Sequence, residues 1–229
     1  VNRCVLRYMA EAFQMLIEGV PAAMIENAAK MAGMPVGPLA LTDETAIDLA
    51  QKIMKQTIRD LGEKAVPAEQ FALINTMVDR HSRLGRKNGK GFYDYPAKPA
   101  KKKLWPGLKE LYPQKNPDTI DVGELKERFL TTIALEAARV MEEGIVVDPR
   151  EADVGSILAF GFAPYTGGTL SYIDGIGAKK FVERGKALQK KYGPQFKAPR
   201  LLADLAAKGE TFYQRFDPYA KAATAKAAA

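Results

Sequence analysis

The sequence predicts an all-α protein built from two related helical units. Apolar residues recur almost everywhere at helical spacing, strand-like alternation is nearly absent, and the chain carries an internal repeat. Its 229 residues, 47% of them hydrophobic, suffice for one large domain or two small ones with real cores. No apolar run approaches the ~20 residues needed to cross a bilayer.

Residues 3–18 hold the apolar pairs Val5/Leu6, Met9/Ala10, Ala12/Phe13 and Leu16/Ile17, a face wide enough for a helix buried on more than one side. Cys4 falls among these positions and reads as a buried structural thiol. Ile47, Ala50, Met54, Ile58 and Leu61 follow spacings of three and four, with Thr42 as N-cap and Asp43 and Glu44 in the first turn. Phe71, Ile74 and Val78 mark another helix, from about Pro67 to His81. The turn-rich Gly85-Arg86-Lys87-Asn88-Gly89-Lys90-Gly91 then leads into Phe92-Tyr93-Asp94-Tyr95, the one stretch expected to be extended.

Prolines 96, 99, 106, 113 and 117, with the run Lys101-Lys102-Lys103, make residues 96–119 a linker. Asp121 with Glu124 resembles a capping box ahead of Leu125, Phe129, Ile133, Ala137 and Met141. Asp148-Pro149-Arg150-Glu151 is a stronger helix start: a capping acid, proline at the first helical position, and an acid in the first turn. A last helix runs from near Pro199 to Gly209. Residues 217–229, rich in Ala and Lys, are expected to be a disordered tail.

The repeat relates Arg3–Gly19 to Arg128–Gly144 at constant spacing. Ala10-Glu11-Ala12 answers to Leu135-Glu136-Ala137, and Glu18-Gly19-Val20 to Glu143-Gly144-Ile145. Each copy continues to a Gly/Pro turn, Gly33-Met34-Pro35-Val36-Gly37-Pro38 in the first and Gly161-Phe162-Ala163-Pro164-Tyr165-Thr166-Gly167-Gly168 in the second. Each turn leads to an acid ahead of another helix, Asp43 and Asp174. Two such copies in one chain are expected to pack as an intramolecular pseudo-dimer, as a duplicated homodimer would.

Composition and ends narrow the function. The net charge of +7 favours anionic partners only weakly, because many of the lysines lie in the linker and the tail. Aromatic residues do not interleave with basic ones, which argues against nucleic-acid binding. One cysteine excludes an internal disulfide and fits a reducing, cytoplasmic setting. One histidine, His81, distant from that cysteine, leaves no zinc set; His81 reads as solvated or helix-capping. The start lacks a charged leader followed by an apolar stretch and a small-residue cleavage site, so a secretory segment is not expected. The chain opens Val1-Asn2-Arg3 without an initiator Met and reads as a domain of, or a fragment released from, a longer protein.

The glycines of Gly175-Ile176-Gly177 lack both a third partner and a preceding strand, so they read as a helix-start turn and not as a dinucleotide loop. The copies differ just before their aligned arginines, Asn2 in one and Glu127 in the other. On its own, an amide at a helix start is most simply an N-cap.

Val1-Asn2-Arg3, Gly33 to Leu39 followed by Leu41-Thr42-Asp43, and Gly85 to Tyr95 together resemble the C-terminal domain of 3-hydroxyacyl-CoA dehydrogenases. The second copy, with Glu143-Gly144-Ile145-Val146 and Gly161-Phe162-Ala163-Pro164, resembles the further copy in multifunctional enzymes of the fatty-acid oxidation complex α-subunit type. The resemblance implies a 6-phosphogluconate dehydrogenase C-terminal-like fold. It divides the chain into a first unit over 1–95, the linker 96–119, a degenerate second unit over 120–216 and the tail 217–229.

It also implies an NAD-dependent oxidation of L-3-hydroxyacyl-CoA in fatty-acid β-oxidation, with a split active site. An upstream Rossmann domain outside this chain would bind NAD and supply a His–Glu pair, and Asn2 would complete the site by orienting the substrate oxygen. Pro35, Val36 and Leu41 would line the acyl side, although ordinary core packing is an equal reading of those three. No cofactor or metal ligand is assigned within this chain. The implied partners are an acyl-CoA substrate and the Rossmann domain; an upstream enoyl-CoA hydratase domain and a thiolase subunit stay open. The alternative is a non-catalytic packing or oligomerisation module of a multidomain enzyme.

Overall fold

The computed structural model describes residues 1–97 and 99–216. The tail expected to be disordered, 217–229, lies outside the described residues. Among the described residues the chain forms twelve α-helices and one two-stranded ribbon, in line with the all-α expectation. The helices are α1 (Asn2–Ile17), α2 (Ala22–Met31), α3 (Pro38–Thr45), α4 (Ile47–Leu61), α5 (Ala68–Asn75) and α6 (Leu108–Leu111), then α7 (Val122–Glu142), α8 (Pro149–Phe160), α9 (Thr169–Ile176), α10 (Ala178–Tyr192), α11 (Arg200–Lys208) and α12 (Phe212–Arg215). Among the described residues no helix is long and apolar enough to cross a membrane.

Two compact units result. The N-proximal unit comprises Tyr8–Met31 and Val36–Lys126; the C-proximal unit comprises Val1–Arg7, Ala32–Pro35 and the chain from Glu127 onward. Both α1 and α7 therefore contribute residues to each unit.

In the N-proximal unit, Phe13, Met15 and Leu16 of α1 are buried with Ile25, Leu39, Ile47, Leu73 and Phe92. Phe13 and Phe92 stack with ring centroids 5.8 Å apart. The expected extended piece is a short strand, β1 (Tyr93–Asp94), paired antiparallel with β2 (Lys103–Leu104) from the proline-rich segment. Arg83 fastens this ribbon: its buried guanidinium donates to the carbonyls of Gly91 (2.6 Å) and Tyr93 (3.2 Å), ion-pairs with Asp94, and lies 4.2 Å above the Trp105 ring. Exposed His81 meets the same indole edge-on. Beyond β2, Leu108 of α6 is buried, and the Lys115 N–H donates to the Gly19 carbonyl (2.9 Å).

In the C-proximal unit, α7 turns Phe129, Ile133, Ala134 and Ala138 inward. They are buried along with Phe162, Leu170, Phe181, Phe196, Leu202, Leu205 and Phe212. The start signal at Asp148 is in place, and of the Asp121 and Glu124 pair the Asp121 half is seen. Asp148 accepts from the Arg150 N–H (2.9 Å) with Pro149 at the first helical position, and Asp121 accepts from the Gly123 N–H (2.7 Å). Gly209 ends α11 in the left-handed conformation. Cys4 is buried, and burial pushes its thiol up to about 11, as an inert structural cysteine requires.

Thr42 is not the expected N-cap. Pro38 starts a helix earlier, and the Thr42 hydroxyl donates back to the Pro38 carbonyl inside α3 (2.8 Å). The break before α4 falls at Ala46, with φ 76°, and the Ile47 N–H donates to the Leu84 carbonyl (3.0 Å). Neither Gly nor Pro marks that break, so the apolar spacing runs through it. The helix expected over 67–81 is present, with its last turn widened from Thr76 to Arg80.

A positive φ on alanine costs roughly 1–3 kcal/mol. Ala46→Gly should therefore raise the unfolding free energy by about 1 kcal/mol after the extra freedom of glycine in the unfolded chain is counted. Urea unfolding of the two proteins tests this; an unchanged midpoint would mean that Ala46 is unstrained.

Candidate functional site

Glu26 and Asp43 organise the turn that the sequence singled out. Glu26, buried on α2, accepts from the N–H groups of Leu39 (2.7 Å) and Ala40 (3.4 Å) at the start of α3, and from the Tyr93 hydroxyl (2.7 Å). An anion at this place complements the unsatisfied N–H groups and the positive end of the helix dipole. A Cβ at Gly37 would overlap the Glu26 carboxylate, so a side chain there would displace the acid from its donors. Asp43, also buried, accepts from the N–H groups of Phe92 (2.8 Å) and Tyr93 (2.9 Å) and from the Tyr95 hydroxyl (3.0 Å).

The second copy repeats this wiring. Asp153 on α8 accepts from the Leu170 N–H (2.7 Å), the Ser171 N–H (3.0 Å) and hydroxyl (2.6 Å), and the Tyr213 hydroxyl (2.9 Å). Gly168 stands where a Cβ would overlap Asp153. Asp174 accepts from the N–H groups of Phe212 (3.0 Å) and Tyr213 (3.2 Å). The Gly/Pro turns and the two Phe-Tyr pairs thus serve the same four carboxylates. All four acids are engaged by structural donors, which leaves them poor candidates for acid–base chemistry.

The helix start that bears Asn2 has a different character. Asn2 opens α1 and is exposed, and among the described residues no hydrogen bond holds its amide. Its neighbour Arg3 is anchored three ways. The Arg3 guanidinium donates to Glu136 (2.7 Å) and, through both terminal nitrogens, to Glu143 (2.5 and 3.0 Å). Glu136 is itself buried, and it also receives Arg7 (3.1 Å) and Arg139 (2.9 Å). Burial alone would raise the Glu136 carboxyl, but Arg7, Arg3 and Arg139 outweigh it and hold the group below the usual range. Hydrogen bonding to Glu143, then to Glu136, raises the already high Arg3 value further.

In the second copy, the residue aligned with Asn2 is Glu127, and it is ion-paired with Arg184. Arg128, aligned with Arg3, is buried with its guanidinium 3.7 Å over the Tyr192 ring. One copy therefore leaves an uncharged amide unengaged at this position, and the other spends a charge on packing.

Pro35 and Val36 are exposed, and Leu41 is half-buried, so core packing accounts for none of the three in full. Asn2 and Pro35 fall within the C-proximal unit, Val36 and Leu41 within the N-proximal unit. The Val36 carbonyl accepts from the buried Tyr8 hydroxyl (2.8 Å), which fixes the turn to α1. Pro35 lies directly against Gly161.

Sequence reasoning missed the partners of Arg3 and the carboxylate–tyrosine pairs. The recurrence of Phe-Tyr at 92–93 and 212–213 was the available signal for the latter. Among the described residues no cluster of three His, Cys, Asp or Glu side chains could hold a metal. Nor do these residues fit a dinucleotide. Gly175 and Gly177 lie at the junction of α9 and α10 with no strand before them, so the backbone has no strand–turn–helix to receive a pyrophosphate.

Residues 1–95 match the family model of the 3-hydroxyacyl-CoA dehydrogenase C-terminal domain. Over 93% of its length it is similar to the fatty acid oxidation complex subunit alpha of Shewanella amazonensis (41% identity over 215 residues) and of Vibrio parahaemolyticus (33% over 213 residues). It spans about 30% of the length of those relatives. Among solved structures, 3-hydroxybutyryl-CoA dehydrogenase from Escherichia coli K12 matches 91% of this chain and 59% of its own, with TM-score 0.66 and 20% identity. The dehydrogenase part of multifunctional enzyme 1 from C. elegans matches 89% of this chain and 46% of its own, with TM-score 0.58 and 16% identity. At these identities the likeness is one of fold.

Burial pushes the Asp43 carboxyl up to about 6, against the opposing pull of the Phe92 and Tyr93 N–H groups and the Tyr95 hydroxyl. That lies above the ~3.9 of an unfolded aspartate. The folded state therefore binds the proton more tightly, and the stability Asp43 contributes is full below pH ~4 and is lost as pH rises through about 6. An NMR titration of labelled aspartate carboxyl carbons should show Asp43 with a midpoint near 6. A midpoint below 4 would mean that the three donors outweigh burial.

Proposed function

We propose that this chain is the C-terminal helical part of an NAD-dependent L-3-hydroxyacyl-CoA dehydrogenase of fatty-acid β-oxidation, in which Asn2 orients the substrate. The observation that carries this reading is the unengaged Asn2 amide on a helix start fixed by Arg3. Its family and its relatives favour the reaction, and its residue type suits the task. An amide N–H can donate to the oxygen on C3 of the acyl group and hold it in one orientation. Being uncharged, it does this without titrating. A helix start whose neighbouring residue is pinned holds such a donor more firmly than a loop.

The hydride acceptor and the proton acceptor belong to the portion of the protein outside this chain. A Rossmann domain carrying NAD and a His–Glu pair is the proposed source of both. Exposed Pro35 and Val36, with half-buried Leu41, are the proposed wall on the acyl side. The second copy, with Glu127 committed to Arg184, carries no site in this reading. The relatives' name, fatty acid oxidation complex subunit alpha, favours a place in a larger assembly, in which an enoyl-CoA hydratase domain and a thiolase subunit are the open partners.

In the full-length enzyme, Asn2→Ala should lower kcat by roughly 10²–10³-fold, the usual cost of a lost oxyanion-type donor. The melting temperature should stay within a degree, since the amide makes no hydrogen bond in the fold. An unchanged kcat with altered subunit assembly would favour a packing module instead. The chain purified without the rest of the protein should fold, and it should fail to reduce NAD⁺ in the presence of 3-hydroxybutyryl-CoA, as followed at the absorbance of NADH. Turnover by the isolated chain would overturn the split site.

A further inference from the structure

We infer that Glu136 and Glu143, both from the second copy, are positioning residues that act through Arg3 to aim the Asn2 amide. This inference rests on the substrate-orienting reading of Asn2. It assigns a catalytic consequence to the copy that has no reacting group of its own.

Asn2 is the first residue of α1 and its side-chain amide makes no hydrogen bond among the described residues, so its direction is set by the backbone on either side. On one side is exposed Val1, whose carbonyl accepts from the Val5 N–H (3.1 Å). On the other is Arg3, whose planar fork is gripped at three nitrogens by two carboxylates. A helix end frays readily, because its first turn lacks half of its hydrogen bonds. The anchor falls where fraying would begin, one residue from the amide.

The anchoring carboxylates are themselves held. Glu136 is buried on α7 among Arg3, Arg7 and Arg139, and Arg139 in turn donates to the carbonyls of Gln195 (3.1 Å) and Lys197 (2.7 Å). Glu143, just past the end of α7, closes the grip on the Arg3 terminal nitrogens from an exposed position. The second copy shows what this register does when no amide is to be aimed: Arg128 is stacked on Tyr192, and the preceding Glu127 is tied to Arg184. Lysine cannot reproduce the Arg3 arrangement, since it offers one point charge in place of a fork.

The test is a set of variants in the full-length enzyme: Arg3→Lys, Glu143→Ala and Glu136→Gln, each alone and in an Asn2→Ala background. Steady-state kinetics with 3-hydroxybutyryl-CoA and NAD⁺ and thermal melts are read for each. Arg3→Lys and Glu143→Ala should lower kcat about 10-fold with little change in KM, well within the ~10²-fold that 1 Å of misplacement can cost. Their melting temperatures should hold, because Glu143 is exposed and Arg3 is partly so.

In the Asn2→Ala background the same substitutions should have almost no further effect on kcat, because a residue that acts only through Asn2 has nothing left to aim. Glu136→Gln leaves arginines facing a buried neutral group and can fail to fold; the exposed Glu143→Ala then decides alone. If kcat is unaffected by Arg3→Lys and Glu143→Ala while Asn2→Ala remains damaging, the positioning role is overturned and the substrate-orienting reading stands. Equal losses in both backgrounds would reassign the pair to general stability. If Asn2→Ala itself leaves kcat unchanged, the reading beneath this inference has failed.

Discussion

A carboxylate shut away from water has to find donors, and this fold is arranged around that requirement. An unpaired buried charge costs several kcal/mol, whereas one receiving two or more well-aligned N–H or O–H bonds is tolerated and directional. Glu26 and Asp43 draw in the first turn of α3, the Phe92-Tyr93 backbone and two tyrosine hydroxyls; Asp153 and Asp174 do the same with α9 and Phe212-Tyr213. The wiring explains why each Gly/Pro turn has its glycine where it does and why each unit returns an aromatic pair late in its sequence. Hydrophobic burial supplies most of the driving force, but the acids decide which turn meets which strand or helix.

How far the fold was legible depended on how local its causes are. α1, α8 and α11 were readable because apolar spacing, Asp148-Pro149 and Gly209 act within a few residues of themselves. The boundary between α3 and α4 was not, since Ala46 takes a positive φ without a glycine to announce it. β2 and α12 are too short to establish a period. The buried acids were hidden for another reason: along one helix, Glu26 and Asp153 look like surface residues, and their tyrosine partners lie 67 and 60 positions away.

The candidate site was legible in part for the same reason. Asn2 stood out through its motif and through its contrast with Glu127, both visible in a linear comparison of the copies. What holds the helix start did not stand out, since Glu136 is 133 residues from Arg3 and Glu143 is 140. The repeat had already aligned Glu136 with Glu11, yet alignment gives equivalence and not contact. The two copies do unequal work at this position: an uncharged amide left available in one, an ion pair closed in the other.

Because α1 contributes its first six residues to one compact unit and the rest to the other, the unit boundary cuts through a continuous helix. Homology would delimit a module at residues 1–95, but mechanical integrity does not follow that line. A polypeptide trimmed there would keep Asn2 and Arg3 and discard the acids that grip the arginine. The dependence runs one way: the first helix takes the anchor of its leading turn from acids far along the chain, so a cut made by homology would leave that turn without them.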